Sequence, residues 1–150
     1  MLFLNKDKNI IKIQSRGMSM LPLIRGRDTV YIEKIKQNNK FYSGDIVVFP
    51  FHGRLLCHRI ILVKKRVFIT KGDNSWRGEV VKPMRKVIGK VIAVTRQGKV
   101  IDFRNPWYQI LNSLLFCFSF LTFLIAESAF FIKRIILSLR SFQLFVGKSD

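Results

Sequence analysis

Six short runs rich in β-branched and apolar residues follow one another through the first hundred positions of this 150-residue chain. "IIKIQ" (10–14), "DTVYIEKI" (28–35), "DIVVF" (45–49), "LLCHRIILV" (55–63), "RVFITK" (66–71) and "KVIGKVIAVT" (86–95) each read as a strand. The stretches between them, "KQNNKFYSG", "PFHGR", "VKK" and "GDNSWRG", have the Gly, Asn, Pro and Lys content of turns. Short strands joined by tight turns predict a mainly β domain, an antiparallel partly closed β-barrel or two-sheet fold. The chain carries no glycine-rich phosphate loop, no helix-turn-helix pattern, no internal repeat and no low-complexity linker.

After these runs the character of the chain changes. Residues 105–126, "NPWYQILNSLLFCFSFLTFLIA", contain no formal charge and open on Trp107 and Tyr108. About 20 apolar residues span a bilayer core, and Trp and Tyr favour its interface. Gln109, Asn112, Ser113, Ser119 and Thr122 dilute the run and Glu127 follows it, so a buried core helix or a membrane-surface helix also fits. Beyond it, Lys133, Arg134 and Arg140 stand among Phe131, Ile132, Ile135, Ile136, Leu139 and Phe142, the composition of a basic amphipathic helix. The expected organisation is a β domain over 1–104, a candidate transmembrane or membrane-embedded helix over 105–132 and a basic amphipathic tail over 133–150. With every predicted strand inside 1–104, that part is expected to fold without the rest. Of the net charge of +18, +16 lies in residues 1–104, which suits contact with anionic headgroups. Nucleic acid is not an expected partner, since no recognition-helix pattern accompanies that charge. The amino terminus is charged by residue 6 and lacks the apolar run of a cleavable signal peptide.

The octet "SRGMSMLP" (15–22) is poor helix and poor strand, a constrained turn with Gly17 before Ser19 and Pro22 after it. The plain alternative is a surface turn whose serine bonds its own backbone. His52, in "PFHGR", reads as an exposed hairpin residue, whereas His58 lies within a strand and points to one face, alternate with Cys57 and Arg59. That alternation excludes a Cys57–His58 pair and leaves His58 as either a structural histidine or a base. Asp73 follows a strand in "TKGDNSW". Ser19, His58 and Asp73 thus supply a nucleophile, a base near neutral pKa and an anion. The two cysteines, Cys57 and Cys117, suit neither a disulfide nor a metal set, and no metal or cofactor is expected.

"GMSMLPLIRGRDTVYIEK", "YSGDIVVF", "CHRII", "FITKGDN" and "VIGKVIAV", in this order and spacing over about residues 15–95, resemble the signal peptidase I family of the signal peptidase and self-cleaving repressor superfamily. Histidine at position 58, where bacterial members and repressors usually carry lysine, resembles the endoplasmic-reticulum, archaeal and spore-former type. The resemblance implies Ser19 as nucleophile, His58 as general base, and Asp73 as the residue that orients the imidazole or shapes the site. Histidine-type members often carry a second aspartate six residues on, where this chain has Glu79, the candidate accessory acid. Many signal peptidases place an oxyanion-holding serine two residues before the nucleophile. Gly17 stands there, which shifts that role to the Ser19 N–H, with Met18 and Met20 supplying apolar surface around the cleft.

The implied activity is that of a membrane-associated serine endopeptidase cleaving signal or leader peptides after small residues. Its expected partners are such a peptide and membrane lipid. A cytoplasm-facing leader protease for one small peptide, or a non-catalytic membrane-bound peptide-binding protein of the same fold, are the alternatives. The basic first part argues for the cytoplasmic side of a cell membrane and the family habit for the outer side.

Overall fold

The computed structural model describes residues 9–35, 40–64, 67–76, 78–81 and 86–146, with side chains through Leu137 in the last segment. Residues 1–8, 36–39, 65–66, 77, 82–85 and 147–150, which include the charged amino terminus, parts of the stretches expected as turns and the end of the tail, lie outside the described residues.

Eight strands form one antiparallel sheet: β1 (Ile10–Gln14), β2 (Thr29–Lys34), β3 (Ile46–Phe51), β4 (Arg54–Lys64), β5 (Val67–Lys71), β6 (Gly78–Val81), β7 (Gly89–Arg96) and β8 (Lys99–Asp102). The order is β1-β2-β7-β3-β4-β5-β6, with β8 added to β7, so the sheet is not closed. The six runs expected as strands are β1 to β5 and β7. Strands β6 and β8 are four residues each and carry too little pattern to be read in advance. The β3–β4 hairpin turns on His52 and Gly53, at φ 45° and 73°, with Phe51 paired to Arg54. These two positive φ values fit a two-residue hairpin turn matched to strand twist, and Gly53 takes its value without strain.

Strand β3 shows why the sheet buries both faces. Ile46 and Val48 belong to one apolar cluster, with Met20, Leu23, Ile24, Val30, Ile32, Val91 and Val94. Their neighbours Val47 and Phe49 belong to another, with Ile60, Phe68 and Val87. Alternation along a strand sends successive side chains to opposite faces, and here both faces are filled.

A single helix, α1 (Pro106–Val146), follows. Asn105 caps it, its Oδ1 accepting the Trp107 N–H at 3.1 Å, and Pro106 takes the first helical position. The helix continues without a break past residue 133, and its segment Pro106–Leu137 is long and apolar enough to cross a membrane. Its sheet-facing positions include Asn112, Leu115, Phe116, Ser119 and Phe123, spaced by three and four residues. Leu115 packs on the first apolar cluster.

Candidate active site

Ser19 sits in a loop, 15–28, that is closed at its neck. The Ser15 N–H donates to the Asp28 carbonyl at 2.8 Å and the Arg27 N–H to the Ser15 carbonyl at 2.7 Å. Met20, Leu23 and Ile24 anchor the loop in the first core cluster. On its flank, Arg96 of β7 donates from Nη2 to the Leu23 carbonyl at 2.9 Å and to Asp28 Oδ2 at 2.7 Å. Burial pushes the Asp28 carboxyl up, but hydrogen bonds from the Arg96 side chain and the Arg25 N–H, together with their charges, hold it below its ordinary 3.8.

The other side of Ser19 rests on the turn after β5. The Asn74 N–H donates to the Ser19 carbonyl at 2.7 Å. A Cβ at Gly72 would stand 2.8 Å from the Ser19 Cβ and 2.7 Å from its carbonyl oxygen, so only glycine permits this approach. Gly17, in contrast, has an ordinary φ and open space where a Cβ would lie. The glycine that the site needs is therefore Gly72, and the turn at 17–19 does not depend on the freedom of Gly17. Neither the hydroxyl nor the main-chain N–H of Ser19 makes a hydrogen bond among the described residues.

His58 lies on β4, buried to 3% exposure, with its ring edge-on to Phe49. Arg59 pairs with Lys71 across β4 and β5, so one step along the ladder brings His58 beside Gly72, the residue that touches Ser19. His58 Nδ1 is 2.8 Å from Glu79 Oε2 on β6. A carboxylate there accepts an Nδ1–H and leaves the Nε2 lone pair as the basic end of the ring. Ser19 and His58 do not hydrogen-bond to each other in this state.

Asp73 goes elsewhere. Arg59 Nε and Nη2 donate to Asp73 Oδ1 and Oδ2, each at 2.7 Å, with both side chains buried. Of the two roles that the resemblance implies for Asp73, this geometry leaves shaping the site and assigns contact with the imidazole to Glu79. Strand alternation explains the split: Arg59 and Lys71 face α1, whereas His58 shares the opposite face with Ile60, Thr70 and Glu79. On the helix side, Arg59 Nη1 donates to Asn112 Oδ1 and to the Gly44 carbonyl, and Lys71 Nζ donates to Ser119 Oγ at 3.2 Å and the Gly72 carbonyl at 3.3 Å. Burial holds the Lys71 amine below the usual lysine range, against the charges of Asp73 and Glu79, which act the other way. Lys71 thus braces the turn from the helix side. Burial also pushes the Cys57 thiol up to about 12, so it is no thiolate at neutral pH.

A groove of about 780 Å³ runs past Ser19, lined by Ile13, Gln14 and Ser15 on one side and Gly53 to Cys57 on the other, with Gly17 and Met20 nearby. Met18 does not line it and is 67% exposed, so the expected apolar wall comes from Met20, Leu55 and Leu56 instead. Two strand edges border this groove. Among the described residues β1 pairs only with β2, and β4 pairs with β5 only from Arg59 onward, which leaves the edge at 54–58 without a neighbour.

A serine and a carboxylate-held histidine on one β domain, beside an open strand edge, define a serine-peptidase-like architecture. A family model described as Peptidase S24-like matches residues 1–92, and the chain belongs to that family. No curated protein matches the chain.

Proposed function

We propose that this chain is a membrane-associated serine endopeptidase of the signal peptidase type that cleaves signal or leader peptides after small residues. One observation carries the reading: Ser19 lies on a groove between two unpaired strand edges, and His58, whose Nδ1 is held by a carboxylate, stands on β4, which lines that groove, at the register position beside Gly72, the residue packed on Ser19. An extended peptide binds such edges by main-chain hydrogen bonds, and shallow apolar pockets then admit small side chains.

In this mechanism a bound peptide draws the Ser19 hydroxyl and His58 Nε2 together. The Ser19 oxygen attacks the scissile carbonyl and the imidazole takes its proton, the resulting cation being stabilised by Glu79. The unbonded N–H of Ser19 faces the developing oxyanion. Collapse of the intermediate expels the amine, which takes the proton from His58, and leaves an acyl-enzyme. Water, deprotonated by the same ring, hydrolyses it.

Incubation with a peptide carrying small residues before the cut, followed by mass spectrometry of the protein under acid quench, tests this. An acyl adduct on Ser19 and specific cleavage are the expected results. Saturable binding without an adduct or cleavage would instead mean a non-catalytic peptide-binding protein, the reading that the missing Ser19–His58 hydrogen bond favours.

A further inference from the structure

Helix α1 reverses the usual arrangement of an amphipathic helix on a soluble domain. Its polar residues Asn112 and Ser119 face the sheet and meet Arg59 and Lys71. Trp107, Ile110, Leu114, Phe118, Leu121 and Ile125 point outward, each more than half exposed. At about 100° per residue these lie within about 60° of the direction of Trp107, and Ile132 and Ile136 continue the same line for a total of about 44 Å. A helix whose outer face borders water carries its charges there. Here Lys133 and Arg134 lie about 80° and 180° away from the stripe.

We infer that α1 lies in the plane of an anionic membrane surface, its Trp107–Ile136 stripe sunk in one leaflet and the β domain on the aqueous side, without crossing the bilayer. The inference rests on the membrane attachment proposed above and not on the peptidase chemistry. Overall hydropathy lets Pro106–Leu137 pass as a span, but it takes no account of angular position. A crossing needs about 20 residues normal to a core about 30 Å thick. Were residues 107–126 to cross, the β domain packed along them would be drawn into hydrocarbon with its Arg59–Asp73 pair, where lipid-exposed irregular backbone is not tolerated. Were residues 127–146 to cross, Glu127, Lys133, Arg134 and Arg140 would all lie within the span, a placement that membranes strongly disfavour. The flat orientation avoids both, and it turns Lys133 and Arg134 away from the hydrocarbon. The net charge of +18 selects an anionic leaflet as the partner.

The test mixes the full chain with preformed vesicles, one set of phosphatidylcholine and one containing phosphatidylglycerol. Ser19→Ala serves as well as the parent, so the vesicle results do not depend on whether the chain cleaves anything. Binding at least tenfold stronger to the anionic vesicles is expected, with partial release by salt. Equal binding to both overturns the choice of an anionic surface, and no binding to either overturns the inference. Single cysteines at Gln109 and Leu137, in a Cys57→Ala, Cys117→Ser background, should both react with a membrane-impermeant maleimide added outside. Protection of one of the two means a span and overturns the in-plane orientation. Ile132→Glu, on the stripe but beyond the part that packs on the sheet, should weaken binding at least tenfold, whereas Gln109→Glu, off the stripe, should not. Equal effects of the two substitutions would also overturn it.

Discussion

Arg59 and Asp73 meet as a two-point pair, guanidinium to carboxylate, one residue before the Asn74 N–H that holds the Ser19 carbonyl, and the pair makes no hydrogen bond to His58. The pair fixes the start of the 73–76 turn, and that turn holds the Ser19 carbonyl through the Asn74 N–H. Removing one member leaves a buried charge without its partner. Asp73→Asn is expected to cost about 3–5 kcal/mol of stability, read from the urea midpoint, and to reduce activity in proportion to the folded fraction lost.

Glu79→Gln should behave in the opposite way. Its carboxylate is partly exposed and among the described residues its hydrogen-bond partner is the His58 ring, so the loss of stability should be small. The amide no longer stabilises the imidazolium and can hold the wrong tautomer, so kcat should fall by between about a hundredfold and ten-thousandfold. A peptide assay beside a urea curve separates this variant from Asp73→Asn; a large stability loss with full residual turnover would contradict the assignment.

Gly17→Ser is a gain-of-function prediction. A Cβ at this position meets nothing within 4 Å and the backbone φ is ordinary, so a serine is accommodated. Its hydroxyl can join the Ser19 N–H at the oxyanion, and since one such donor is worth about 10²–10³ in kcat when fully aligned, a rise of about tenfold or more is expected. Unchanged kcat would place the oxyanion away from residue 17.

The acid limit follows from Asp28. Its carboxyl is held below 3.8, so its contribution to stability is complete above that value and is lost as the pH falls through the lower folded-state pKa. The loop 15–28 should therefore loosen in acid before the sheet does. In Asp28→Asn the urea midpoint should be lower at pH 6 and should lose part of its decline between pH 4 and pH 2, a difference measurable by fluorescence.

The helix is part of the site's support, which revises the expectation that residues 1–104 stand alone. Asn112 accepts from the buried Arg59 and donates to the Gly44 carbonyl at 3.3 Å. Asn112→Leu leaves a charged donor short of a partner and should cost about 1.5–3 kcal/mol. The 1–104 fragment loses Asn112, Ser119 and the cover of Leu115 together, so its circular dichroism should show a less stable sheet and its peptide cleavage should be weaker than that of the full chain.

The strands were legible where they are long and alternate, and the turn of Ser19 was legible from its neighbours. Strand β6 was not, because "GEVV" is four residues at the sheet edge, and with it went the reason why Glu79 reaches His58. Arg59 offered a signal: alternation along "LLCHRIILV" sends it to the face opposite His58, and a guanidinium buried there requires a carboxylate, which Asp73 supplies. Asn112 and Ser119 read as flaws in an apolar run. Their spacing of seven residues puts them on one face, but only the sheet shows that this face meets two buried cations.

Asn74 reaches the Met18 carbonyl across 56 positions of sequence, and Asn112 reaches Arg59 across 53. Contacts of such long range form late, since loop closure precedes their reward. On a chain made from its amino end, the serine is synthesised well before the turn that braces it, and that turn before the helix that backs it. The contacts that brace the Ser19 loop are thus complete only once the last of these parts has emerged and α1 has docked.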